Sequence, residues 1–267
     1  MSSFGHDVQT RARPKSGAAT AGRAMNAPRD ERAHRILDTA GALILRWGYD
    51  KTSIDDIART AGVAKGTVYL HWKSRDALFV ALLRRERVEL LGEVVEQLAG
   101  TPSPATLPDL LKHFALAVLR RPLLKAVLLR DMSVIGKLAR RERGDEARDR
   151  LQDGFVRYLK ELRELGLVRA DVTMGAQASL VASLMVGFFV APPMMPKALS
   201  SSEDELADLL ADTVRRAFDP GKRQSKADIE AGSRATRRYV EDALETAHQK
   251  LAIALSGPQA ADEEVQR

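Results

Sequence analysis

Beyond residue 30 apolar residues return every three or four positions almost throughout, and no alternation of strand length stands out. Ala33, Ile36, Leu37, Ala40, Leu43, Ile44 and Trp47 form one helical stripe that stops at Gly48. Ser53 is placed to cap a short helix, with Asp56 three residues on as a variant capping box. Ile54, Ile57, Ala58 and Ala61 supply the buried face of that helix, and Gly62 ends it. A second short helix is predicted from Lys65 to Trp72. Ser74 then caps a long one reaching about Ala99. Gly100-Thr101-Pro102-Ser103-Pro104 reads as a linker. Past it the spacing predicts helices near 106–120, 122–141, 144–165, 172–190 and 203–217. After Asp219-Pro220-Gly221 comes a polar stretch, followed by an additional amphipathic helix over about 235–256 carried by Val240, Leu244, Ala247, Leu251 and Leu255. The chain is therefore expected to be all-α and free of internal repeats.

Composition narrows this picture. With 45% hydrophobic residues in 267 the chain can bury a substantial core, and without Cys it has no disulfide scaffold, thiol nucleophile or thiolate metal site. The lack of Cys also suits a reducing cytoplasm. Net charge is +6, but its placement is the informative part: residues 1–29 carry +4, residues 30–90 carry +2, and the rest sum to zero. The basic excess in the N-terminal third points to an acidic polymer as partner. Residues 1–29, rich in small residues, Pro and Arg, read as a disordered basic arm with no secretory h-region. The charge-free run between Asp171 and Lys197 is interrupted by polar residues and by Pro192-Pro193, so a buried or dimer-facing helix is expected there and no membrane span. The Arg140–Arg150 charge run reads as a solvated, ion-paired helix face.

Residues 53–72 fit a helix–turn–helix. Such a unit needs a buried first helix, a tight turn, and a second helix offering small and polar side chains to a major groove about 12 Å wide. Val68 and Trp72, four apart, are expected to face inward, leaving Lys65, Gly66, Thr67, Tyr69 and His71 outward. On spacing alone a plain helical hairpin with solvated Lys and Tyr fits as well. The ordered succession Gly48-Tyr49, Thr52-Ser53-Ile54-Asp55-Asp56-Ile57-Ala58, Ala61-Gly62-Val63-Ala64-Lys65-Gly66-Thr67-Val68-Tyr69, His71-Trp72-Lys73-Ser74 and Ala77-Leu78 resembles the DNA-binding domain of the tetracycline-repressor (TetR) family over residues 30–90.

That resemblance implies an N-terminal three-helix DNA-binding domain and a larger helical ligand-binding and dimerisation domain, here 91–220, followed by the 221–267 tail. It implies a homodimer that binds double-stranded DNA and encloses a small effector; two-fold pairing then predicts a palindromic operator, a cytoplasmic protein without cofactor or metal is expected, and a repressor released by the effector is the preferred role, with an activator left open. Matched position by position, it makes Thr52 and Ser53 phosphate contacts, and Lys65, Gly66 and Thr67 the base- and groove-facing start of the recognition helix. Tyr69 and His71 become backbone contacts and Lys73 another phosphate contact. Two residues depart from the family pattern. Ala64 stands where Ser is common, removing a hydroxyl contact or cap, and Trp72 stands where Phe is usual.

Phe114, Leu128, Met132, Phe155, Tyr158, Leu184, Met185 and Phe188 are expected on inward helix faces and are the candidate walls of an effector pocket. Together they favour an apolar or amphipathic ligand, although each alone also fits ordinary core packing. Other functions stay open at this point: a constitutive DNA-binding protein without effector, or an interaction protein using 180–195 at a membrane. Catalysis is not expected. The chain has no His-Glu-x-x-His helix, Gly-x-Gly-x-x-Gly turn, P-loop or Gly-x-Ser-x-Gly elbow, and its five His have no metal-ligand spacing.

Overall fold

A computed structural model of the chain describes residues 18–129, 131 and 145–256, with side chains over 29–129, 131 and 153–256. Among the described residues there are ten α-helices and no strand. The first four are α1 (Ala18–Trp47), α2 (Ile54–Ala61), α3 (Lys65–His71) and α4 (Arg75–Gly100). The remainder are α5 (Leu107–Leu119), α6 (Pro122–Leu128), α7 (Asp145–Glu164), α8 (Met174–Val190), α9 (Glu203–Ala217) and α10 (Lys226–Leu255). Two single 3-10 turns, Pro192–Met194 and Lys197–Leu199, bridge α8 to α9.

Hydrophobic burial divides the molecule into two cores. The N-terminal core gathers Ile36, Leu37 and Ala40 of α1, Ile57 of α2, Val68 of α3 and Leu78, Phe79 and Leu82 of α4. The larger core joins Leu90, Val94 and Leu98 of α4 to α5, α7, α8, α9 and α10 as far as Ala247. Helix α4 is thus common to both, running unbroken through residue 90 with its first turns in one core and its last turns in the other. Arg85 pins it to α1. Its guanidinium, almost wholly covered, donates to the His34 carbonyl at 3.2 Å and pairs with Asp38 at 2.6 Å.

Three expectations need correction. Residues 18–29 belong to α1 instead of a disordered arm, so Arg23 and Arg29 ride on a helix; residues 1–17 lie outside the described residues. The helix predicted over 122–141 ends at Leu128, and most of its remaining length lies outside the described residues. The tail helix is about twice as long as its clearest apolar stripe, beginning at Lys226, where Ser225 caps it by accepting from the Asp228 N–H. That helix is packed on its own chain, lying along α4 and α7. Thr236, Gly232 and Ala235 are buried there, and small side chains are what allow two helices so close an approach.

Because Arg85 holds α1 through hydrogen bonds to a charged group, Arg85→Ala should cost about 1–3 kcal/mol of stability. Urea denaturation followed by circular dichroism measures this; a change below about 0.5 kcal/mol would mean that the covered guanidinium is not what holds α1 on α4.

Candidate nucleic-acid interface

Local chemistry builds the 48–74 region almost residue by residue. Ser53 Oγ accepts from the Asp56 N–H at 3.1 Å while the Asp56 carboxylate accepts from the Ser53 N–H at 3.4 Å, completing the capping box. At the other end Gly62 takes φ +68°, the left-handed region that costs glycine least. The Val63 N–H then reaches the Ala58 carbonyl and the Gly62 N–H the Arg59 carbonyl, which is the Schellman closure. Ala64 supplies the extended N-cap backbone for α3 but no side-chain acceptor, so the hydroxyl cap is missing, as expected from that residue type.

Helix α3 is seven residues long and buries Val68 completely, with Trp72 beneath its end. The opposite surface carries Lys65, Gly66, Tyr69 and Leu70, all exposed, with Thr67 half-buried at its edge. Lys65 Nζ reaches back over the turn to Asp55 at 2.9 Å, and that carboxylate raises the lysine pKa, keeping the ammonium charged. The loop before α2 is clamped from α4: Arg75 lies 4.4 Å over the Tyr49 ring and donates to the Thr52 carbonyl at 3.1 Å, and the Tyr49 hydroxyl donates to Asp76. Ser74 caps α4 by accepting from the Ala77 N–H at 3.1 Å, leaving Lys73 and Ser74 exposed beside the end of α3.

The structure therefore groups Ser53, Lys65, Gly66, Thr67, Tyr69 and Lys73 around one short helix and its flanks, and removes two residues from the expected surface. His71 is buried, only 4% exposed, instead of facing outward. It stands three positions after Val68 and so shares its inward side. Thr52 is fully buried and its hydroxyl donates to the Gly48 carbonyl at 2.9 Å, so it shapes the loop. Leu70, 69% exposed, was missed by the sequence reading. Its signal was available, since it lies midway between the inward Val68 and Trp72.

The expected effector residues disperse. Tyr158 and Met185 are buried in the larger core, and Phe114, Phe155, Leu184 and Phe188 are partly buried against it. Leu128, expected inward, is 44% exposed because α6 ends there, and Met132 lies outside the described residues. Among the described residues of this set, only Tyr158 lines a cavity of about 590 Å³ between α4, α7 and α10. Its neighbours there, notably Tyr239, Thr246 and Lys250 of α10, were missed because the tail was read for its core stripe alone. Among the described residues no group of three or more His, Asp or Glu could hold a metal, and no helix is long and apolar enough to cross a membrane.

Comparison with known proteins agrees with this geometry. Residues 36–82 match the family of bacterial regulatory proteins described as the tetR family. The fatty acid metabolism regulator protein of Bacillus subtilis is 24% identical over 162 residues, 57% of this chain and 77% of that protein. The transcriptional activator FasR of Mycolicibacterium smegmatis is 36% identical over 74 residues, 28% of this chain and 34% of that protein. Among solved structures, the transcriptional regulator FadR from Bacillus subtilis in complex with stearoyl-CoA superimposes with a TM-score of 0.52 at 16% identity, covering 69% of this chain and 98% of that one. Each of these relatives is described as a regulator or transcriptional activator.

Burial pulls the His71 pKa below its ordinary value of 6.5, and the positive charges of Arg29 and Arg32 lower it further against a small opposing effect of Asp30. A buried neutral imidazole contributes stability that is present above the ordinary value and lost as the pH falls through the lowered folded value. Thermal unfolding should therefore occur at lower temperature at pH 5 than at pH 7.5, and the difference should shrink in His71→Gln. An NMR titration placing His71 at or above 6.5 would contradict its burial.

Proposed function

We propose that the chain, whose residues 36–82 match the tetR family of bacterial regulatory proteins, is a DNA-binding transcriptional regulator, and that it is a repressor released from a palindromic operator by a small amphipathic effector. The observation that carries the reading is the exposed face of α3, where Lys65, Gly66, Thr67, Tyr69 and Leu70 project from a helix held by Val68 and Trp72. Gly66 lets the backbone approach base edges, and Thr67 and the Leu70 side chain offer a hydroxyl and an apolar contact of the kind that reads a major groove. Lys73, Ser53 and Tyr69 surround this face and suit phosphate oxygens, which supply affinity without sequence preference. Thr52 and His71 act from below as packing residues. A chain that works on bacterial DNA works in the cytoplasm.

Two further observations support the proposal. FadR, the neighbour described above, was solved with stearoyl-CoA, an amphipathic ligand, and the larger domain of this chain has a cavity of about 590 Å³, within the range of small-molecule sites. The outer surfaces of α8 and α9 expose Leu180, Val186, Val190 and Leu209, and α8 contains no charged residue. An apolar face of that kind suits a two-fold partner, which would set two copies of α3 about 34–36 Å apart along DNA.

Lys73→Ala should weaken binding about equally across DNA sequences and reduce the slope of log affinity against log salt by about one. Thr67→Ala should relax discrimination within each half-site and leave the slope alone. Footprinting and salt titrations on the DNA upstream of the protein's own coding region check both, and identical profiles for the two variants would sink the division of roles.

Val186→Arg should abolish the dimer and operator binding together while helicity persists, because an unpaired charge in an apolar contact is costly to bury. Analytical ultracentrifugation reads the result, and a variant that remains dimeric places the interface elsewhere.

A further inference from the structure

Helix α10 begins after the pair of helices that presents the exposed apolar surface, and it touches both cores. Its first 22 residues bury Ala235, Val240 and Ala247 in the larger core. Its last turn packs Ala254 and Leu255 against the N-terminal core. Over that same stretch, from Ala235 to Lys250, it forms one wall of the cavity opposite α7, with α4 as the third wall. One unbroken helix therefore lines a cavity and ends on the unit that carries α3.

The cavity has two chemically distinct parts. Its floor is aromatic: the Tyr158 and Tyr239 rings stack at 4.9 Å with planes 9° apart, and Phe155 packs against both at about 6 Å. Thr236 spends its hydroxyl proton on the Gly232 carbonyl at 2.9 Å, so the Tyr158 hydroxyl is the donor in the 2.8 Å contact between them. Burial pushes the Tyr158 phenol far above its ordinary range, and that of Tyr239 upward too, so the floor is neutral. The rim is charged. Arg87, Arg157, Arg238 and Lys250 stand there against Asp153, Glu161 and Asp242, a net positive edge. Arg238 is engaged with Glu161 at 2.5 Å, whereas Arg157 stands exposed at the mouth.

We propose that this cavity is the effector site, that it takes an amphipathic anion whose apolar or aromatic body lies on the tyrosine floor and whose acidic group meets the arginine rim, and that α10 carries its occupancy to the DNA-binding unit. The assignment rests on the ligand-responsive reading above. A volume of about 590 Å³ lies well inside the range of small-molecule sites. Flat rings offer contact area to a planar or extended apolar body at little entropic cost. The route to DNA is short and stiff. Tyr239 and Leu255 are sixteen positions apart on one helix, about 24 Å. On the way the Lys250 carbonyl accepts from Arg84 of α4 at 2.9 Å, so α10 is tied to α4 between the cavity and the N-terminal core. A ligand that parts α7 from α10 moves a lever whose other end rests on the N-terminal core that holds the reading helix.

The test uses the full-length protein and two fluorescent probes of one shape, 1-anilinonaphthalene-8-sulfonate, which is anionic, and N-phenyl-1-naphthylamine, which is neutral. The sulfonate should bind one per protomer and more tightly than the neutral probe. Thr246→Trp, at an exposed lining position, should weaken both probes about tenfold or more by occupying the mouth. Arg157→Glu, also exposed, should weaken the sulfonate about three- to fivefold and spare the neutral probe. In the unaltered protein the sulfonate should lower affinity for operator DNA, and in Thr246→Trp it should not. Binding that ignores both substitutions overturns the site, while release of DNA by a compound bound elsewhere would leave the ligand-responsive reading standing. Binding that follows both substitutions without any change in DNA affinity overturns the transmission through α10. If in addition no compound tried releases DNA, the ligand-responsive reading fails on its own.

Discussion

A helix of seven residues is too short to persist in water by its own hydrogen bonds, so the orientation of α3 depends on the burial of Val68 and Trp72 beneath it. Everything around that contact serves to keep it in one geometry. The Schellman closure at Gly62 sets the angle between α2 and α3, and Ile57 of α2 lies in the same core as Val68. From the other side, α4 supplies Leu78 and Phe79, with the Phe79 ring 4.6 Å from that of Tyr49. The loop bearing Tyr49 is in turn held by Arg75. A nucleic-acid reading surface made of small and polar side chains has no cohesion of its own, and here it is borrowed from a hydrophobic core on its reverse face.

The same economy joins the two halves of the molecule. α4 belongs to both cores, so a displacement of its C-terminal turns in the larger core is felt by the residues that hold α3. Two further elements cross the division: Leu123 of α6 is buried in the N-terminal core, and the end of α10 packs against it. Close-packed interiors shift between discrete arrangements instead of deforming smoothly. Three connections of this type, on one compact unit, are a means by which a change among α7, α8 and α10 reaches the residues that hold α3.

Much of the N-terminal unit was legible because its signals are local. A Ser followed three positions later by Asp, a Gly after the last apolar position, and apolar residues four apart dictate the ends and faces of α2 and α3 through backbone chemistry within a few residues. The misreadings there are instructive. His71 is polar and yet buried, because its register, three after Val68, puts it inside. Leu70 is apolar and yet exposed, because the helix turns it outward. In both cases periodicity was the better guide than residue type.

What the sequence by itself determined was the all-helical class, the helix ends from Ser53 to Ser74, the caps, and the family pattern of residues 30–90. These are set by contacts between near neighbours, which spacing records directly. Only the tertiary structure decided that Thr52 donates inward to Gly48, that Leu128 falls on an exposed helix end, and that the tail helix lies along α4 and α7. It alone brought Tyr239 over Tyr158 and set Lys250 at the same cavity, though these residues come from segments some 80 to 90 positions apart. Periodicity tells which face of a helix is apolar; it carries no information on which other helix covers that face, since any apolar face satisfies any other until shape and close packing choose among them.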